Sequence, residues 1–152
     1  MNLKVKLDEG AVMPSRAHRT DAGLDIYSRE EKVVPARGSA VFDTGVHIEL
    51  PMVCVEGAEG LPELFFTTGI LKSKIGLNVN HNLTSTGTID YGYNGSIKVK
   101  LYNHGDNDYM VKAGDKISQL VILPIITPDK LVVVDELSDS ERGSKGFGSS
   151  GR

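Results

Sequence analysis

The sequence predicts an all-β protein, and three observations carry that expectation. Short apolar segments rich in β-branched residues recur along the chain, turn formers separate them, and helical periodicity is poor throughout. The first strand signal is Leu3, Val5 and Leu7 alternating with Lys4 and Lys6, the period of a half-buried strand. Further strands are expected over 39–50, 64–72, 96–103, 109–112, 117–126 and 131–134. Pro35-Ala-Arg-Gly38, Asn94-Gly95, His104-Gly-Asp-Asn107, Gly114-Asp115 and Pro128-Asp129 supply turns, because Gly and Asn tolerate positive φ and Pro presets it. One short helix is expected over 75–83, weakened by Gly76. Many short strands at this spacing indicate a sandwich, jelly roll or barrel.

Composition narrows the function classes. The 152 residues suit one domain, and 39% hydrophobic with 24% charged residues is ordinary for a soluble globular chain. No apolar run is long enough to span a bilayer, and the N-terminus lacks a signal-peptide block. The lone Cys54 requires no oxidising compartment, so a cytoplasmic location is expected. Seventeen Lys and Arg against twenty Asp and Glu give a net charge of −3, which argues against nonspecific nucleic-acid binding. The histidines at 18, 47, 81 and 104 show no zinc-ligand spacing.

Five segments combine residues that could carry chemistry. Arg142-Gly-Ser-Lys-Gly-Phe-Gly-Ser-Ser-Gly151 surrounds one phenylalanine with glycines, hydroxyls and two cations. It reads either as a flexible Gly/Ser end or as an anion-binding arm carrying a ring that stacks on a flat partner. It is not a Walker loop, having no Gly-Lys-Ser/Thr and no following helix. Gly87-Thr-Ile-Asp-Tyr-Gly-Tyr-Asn-Gly95 reads as a hairpin with a type I′ turn at Asn94-Gly95, or as a rigid turn presenting Asp90 to a water and Tyr93 to a sugar. Ala22-Gly-Leu-Asp25 places an acid at the start of an apolar strand, and Gly114-Asp-Lys-Ile-Ser-Gln-Leu120 places the Gln119 amide within another. Leu71-Lys-Ser-Lys-Ile-Gly-Leu77 brings two lysines and a serine to the start of the short helix.

Taken in order, these segments resemble the five motifs of the trimeric dUTP pyrophosphatases (dUTPases) over nearly the whole chain. The family patterns A-G-x-D, R-S-G, G-x-I-D-x-x-Y-x-G, G-D-x-I-x-Q-L and R-G-x-x-G-F-G-S-T/S-G correspond to 22–25, 74–76, 87–95, 114–120 and 142–151. The resemblance implies a distorted jelly-roll barrel over 1–137, with one short helix and a flexible arm over 138–152 that closes on an active site. It implies a homotrimer with shared sites, dUTP as substrate and Mg2+ as cofactor, with no nucleic-acid or membrane partner. Asp90 would orient the attacking water, and Tyr93 would pack on the deoxyribose. The backbone of 84–90, including Gly87 and Ile89, would read the uracil. Lys74, Ile75, Gly76 and Gln119 would lie along the phosphates, and Asp25 would reach the metal through water. Arg142 would bind the γ-phosphate and Phe147 would cover the uracil, with Gly146, Gly148 and Ser149 shaping the arm.

Two departures qualify this. Lys74-Ile75 stands where the family has Arg-Ser, so bidentate phosphate geometry and a hydroxyl donor are both lost. Loss of one transition-state donor typically costs on the order of 10²–10³-fold in rate. A dUTPase with a weakened phosphate site is therefore expected. The alternatives are a catalytically weak nucleotide-binding or regulatory protein on the same scaffold, and a dCTP deaminase of the same fold, whose Arg-Ser-Ser motif is absent. The second departure is an insertion over 52–68, acidic through Glu56, Glu59 and Glu63, read as a surface loop or as a contact surface for a protein partner.

Overall fold

The structure, a computed structural model, describes residues 2–56, 62–140 and 143–144. Among them the chain runs through β1 (Lys4–Leu7), β2 (Gly23–Tyr27), β3 (Lys32–Val34), β4 (Ser39–Asp43), β5 (Val46–Glu49), β6 (Val53–Glu56), β7 (Pro62–Ser73), α1 (Ile75–His81), β8 (Leu83–Thr84), β9 (Thr86–Ile89), β10 (Lys98–Asn103), β11 (Tyr109–Val111) and β12 (Lys116–Ile125). It is an all-β, distorted jelly-roll barrel in which the described strand pairs are antiparallel. The largest sheet runs β2-β12-β7-β6, with β9 added to β7. Smaller sheets are β4-β10-β8, β1-β5 and β11-β3. Side chains that alternate inward from these sheets, among them Ile26, Phe42, Val99, Ile117 and Leu120, are fully buried in one core. No described helix is long and apolar enough to cross a membrane.

Four expectations change. The apolar run 39–50 is not one strand: Gly45, at φ +66°, turns the chain, so β4 pairs with β10 and β5 with β1. Much of the segment expected as an inserted loop is strand, since β6 pairs with the first part of β7 from Val53↔Phe65 to Glu56↔Pro62. Residues 131–134 form no strand. Leu131 and Val133 are almost fully exposed, because no described edge lies against them to complete a ladder. The helix ends at His81, where Asn82 adopts the left-handed conformation and its N–H caps the last turn.

Buried polar groups hold the barrel corners. Asn103 is 3% exposed, donates Nδ2–H to the carbonyls of Val34 (3.1 Å) and Asn107 (2.9 Å), and accepts from the Gly105 N–H (2.9 Å). An Asn103→Leu variant leaves those three backbone groups without the amide. Urea denaturation should show a loss of about 1–3 kcal/mol or more.

Candidate active site

The most constrained polar cluster surrounds Asp25. Its position in β2 puts the carboxylate under cover, with only 3% of the residue exposed. A buried charge must be paired. Lys74 Nζ donates to one oxygen at 2.7 Å, Lys116 Nζ lies 2.8 Å from the other, and Gln119 Nε2 donates at 3.2 Å. Burial alone pushes the Asp25 carboxyl up, yet hydrogen bonds from Lys116, Lys74 and Gln119 outweigh it and hold the group below its ordinary value. Lys116 occupies one of the two variable positions of the fourth motif, and sequence reasoning missed it. A break in the β12–β2 register between Lys116 and Ser118 accompanies its approach to the acid, and no residue pattern announces such a break.

Beside this cluster lies a cleft of about 620 Å³ bordered by Lys72, Ser73, Ile75, Thr86 and Gln119. Ile75 opens α1 and is 69% exposed, and an added Cβ at Gly76 would meet nothing within 4 Å. The surface here is thus open and carries a branched hydrocarbon. Ser73, two residues earlier, is already engaged. Its Oγ donates to the Ser85 carbonyl at 3.1 Å and accepts from the Ser85 N–H at 3.0 Å, which spends its one donor on joining β7 to the segment before β9.

The third motif builds a second cleft, of about 310 Å³, lined by Gly87, Ile89, Asp90 and Tyr93 together with Leu71 and Ile97. The turn is not at Asn94-Gly95. The Tyr93 N–H donates to the Asp90 carbonyl at 3.1 Å, and Gly92 takes φ +87°, so the tight turn spans Asp90–Tyr93. Gly95 serves another purpose. Tyr93 folds back to donate its Oη to the Ser96 carbonyl (3.2 Å), and a Cβ at Gly95 would collide with the phenol ring. Asp90 is exposed at the turn's start. Ile89 is 6% exposed, so its side chain belongs to the core, while its carbonyl accepts from Thr68 Oγ1 at 3.0 Å. Phe66 of β7 packs on Tyr91 with ring centroids 4.7 Å apart, so β7 braces this turn.

The structure therefore gathers Asp25, Lys74 and Gln119 with Ile75 nearby, and gathers Gly87, Ile89, Asp90 and Tyr93 elsewhere. The two clefts share no lining residue. Arg142, Gly146, Phe147, Gly148 and Ser149 lie outside the described residues.

A further tie reaches the third motif. His47 Nδ1 lies 2.8 Å from the Asn94 carbonyl and Nε2 lies 3.1 Å from the Asp8 carboxylate. Both partners accept only, so the doubly protonated ring satisfies both. The Asn94 carbonyl and then Asp8 accordingly raise the His47 pKa above its ordinary value. The hydrogen bond to His47 in turn lowers that of Asp8, which Lys6 and Arg29 also face. Folding thus favours proton uptake by the imidazole. This contribution is complete below the unfolded histidine value of about 6.5 and fades as pH rises through the folded value. Thermal melts of the native chain should fall in Tm over that interval, and His47→Gln should flatten the decline.

Comparison with known proteins bears on the whole chain. Residues 60–151 match the dUTPase family. The deoxyuridine 5'-triphosphate nucleotidohydrolase of Clostridium acetobutylicum is 44% identical, over 99% of this chain and 97% of its own length. The enzyme of the same name from Eremothecium gossypii is 38% identical over 98% and 90%. Among solved structures, the dUTPase of Staphylococcus bacteriophage 80alpha with dUpNHpp superposes with a TM-score of 0.84 at 36% identity, covering 99% of both chains. A mutant dUTPase from phage phi11 of S. aureus, described with a structural Mg(II) ion, superposes at 0.75 with 32% identity, over 91% of this chain and 100% of its own. With near-complete coverage and the ordered motifs in place, the chain belongs to the dUTPase family.

Proposed function

We propose that this chain hydrolyses dUTP to dUMP and pyrophosphate. The observation that carries this reading is the third-motif turn, which holds the exposed Asp90 beside a cleft edged by Tyr93. Among the described residues Asp90 forms no ion pair, so its carboxylate is available to a water. The water oxygen bonds to the α-phosphorus as the bond from that phosphorus to the bridging oxygen breaks. Pyrophosphate leaves, and Asp90 accepts the proton. Tyr93 packs on the deoxyribose and leaves no room for a 2′-hydroxyl, and the backbone around Gly87 and Ile89 reads the uracil edge. Gln119, Lys74 and the backbone at Ile75-Gly76 line the phosphate path. Arg142 binds the γ-phosphate and Phe147 covers the base, carried with Gly146, Gly148 and Ser149 on the arm 138–152 beyond the barrel.

A Mg2+ ion fits this set when carried by the substrate. Among the described residues no three His, Cys, Asp or Glu side chains converge as a metal site. Asp25 already has both oxygens engaged by lysines. The ion would then be held by phosphate oxygens and water, with Asp25 reaching it through water. Bound in that way, it spreads the triphosphate charge and fixes its conformation.

The reading extends to a homotrimer whose sites are shared between copies. Its support is the division of site residues between two clefts with no lining residue in common. The strand pair β6–β7, with Val55 and Leu64 exposed, is retained as a contact surface for a protein partner.

One observation favours a second reading, a nucleotide binder that turns over poorly: Ile75 offers no hydroxyl at the phosphate cleft, and Ser73 is engaged elsewhere. Pyrophosphate release from dUTP, dCTP and dTTP separates the possibilities. Release from dUTP alone is expected. Ammonia from dCTP would indicate a deaminase, and tight binding of an imido analogue without turnover of dUTP would indicate a binder. Ile75→Ser should raise kcat by roughly 10-fold or more and change binding little. An unchanged kcat would remove the weakened-donor explanation.

A further inference from the structure

We propose that Ser96 and Asp43 are positioning residues for Tyr93, and that through it they set the discrimination between deoxyribose and ribose in this protein. The proposal rests on the dUTP-hydrolysis reading, in which Tyr93 packs on the sugar, and assigns what holds that ring in place.

The core does not fix the ring, because Tyr93 is 47% exposed. Its phenol crosses Gly95 and donates Oη–H to the Ser96 carbonyl at 3.2 Å, so the ring stands where that carbonyl stands. The carbonyl belongs to the Ser96–Ile97 peptide unit, whose N–H donates to the Val46 carbonyl at 2.8 Å. The Ser96 side chain fixes the same unit from its other end. Its Oγ donates to Asp43 Oδ1 and accepts from the Gly45 N–H at 3.1 Å. His47 adds a tie at the Asn94 carbonyl. The return limb of the third motif is thus fastened at residues 94, 96 and 97 to the segment Asp43–His47, where the chain turns from β4 to β5.

Asp43 is itself held. Arg29 Nη2 lies 3.3 Å from Asp43 Oδ2, and Arg29 Nε donates to the Asp43 carbonyl at 3.0 Å. The hydrogen bonds from Ser96 and Gly45, with the Arg29 guanidinium beside them, keep the Asp43 carboxyl below its ordinary value, so it is an ionised acceptor at neutral pH. A hydroxyl caught between a charged acceptor and a backbone donor cannot rotate without losing one of them. Rejecting a 2′-hydroxyl is a steric task, and a site performs it only if its walls hold position to within about 0.5 Å. Without the Ser96 Oγ, the Ser96–Ile97 unit keeps its bond to Val46 and can pivot about it. That pivot carries the acceptor of Tyr93, and the ring with it, away from the sugar.

Steady-state kcat/KM for dUTP and for UTP, measured on the full chain with Mg2+, tests the proposal. Ser96→Ala and Asp43→Ala should each lower the dUTP-to-UTP ratio of kcat/KM by roughly 10-fold or more, chiefly through a gain on UTP. Ser96→Thr and Asp43→Asn, which keep the hydroxyl and the acceptor, should hold the ratio within about 3-fold of the native chain. Each variant is assayed at a temperature where circular dichroism shows it folded, and Asp43→Ala carries the test if Ser96→Ala does not fold. An unchanged ratio overturns the proposal, including equal loss on both substrates, which marks a purely structural role. Conservative variants as permissive as the alanine ones also overturn it. If the native chain cleaves dUTP and rejects UTP while the alanine variants keep that preference, the proposal fails and the function stands. If the native chain does not cleave dUTP, both fail.

Discussion

A single buried carboxylate organises one side of the largest sheet. Asp25 sits beneath the surface of the largest sheet, where an unpaired charge would be prohibitively costly. Its partners arrive from separate parts of the chain: Lys74 from the junction of β7 and α1, Lys116 and Gln119 from β12. Satisfying the acid therefore fixes where the helix begins, where β12 enters the sheet and which way the amide of Gln119 points. The cleft beside it inherits that geometry.

The same constraint explains why Lys74 differs from a freely held phosphate clamp. Its ammonium is committed within the protein before any nucleotide arrives, so it contributes to the cleft chiefly through the positive balance of the cluster. A planar guanidinium could bridge an acid and a phosphate together, whereas a lysine presents a single point of charge.

Much of the fold was legible because its signals are local. Alternation marked β1, and runs of β-branched residues marked most of β7, β10 and β12. The errors arose where pairing or packing overrides local pattern. Residues 39–50 read as one strand because the hydrophobic run continues through Gly45, and only the partners of each half reveal the break. Val53–Glu56 was hidden by the acidic, glycine-rich stretch after it, and Leu131–Val134 has the composition of a strand but no edge to join. For the candidate site, the ordered motifs pointed to Asp25, Asp90, Tyr93 and Gln119, and the structure joins Asp25 with Gln119 and places Asp90 and Tyr93 at another cleft. The approach of Lys116 to Asp25 depends on register between strands distant in sequence, which no local pattern encodes.

The contact between Tyr93 and Gly95 limits what this turn can hold. The phenol ring occupies the volume that any side chain at position 95 would need, and its hydroxyl is tethered one residue further on, at Ser96. The absent side chain is in effect a socket for the ring. In this chain a larger residue at position 95 would require position 93 to give up its aromatic ring, so the two positions are coupled by shape.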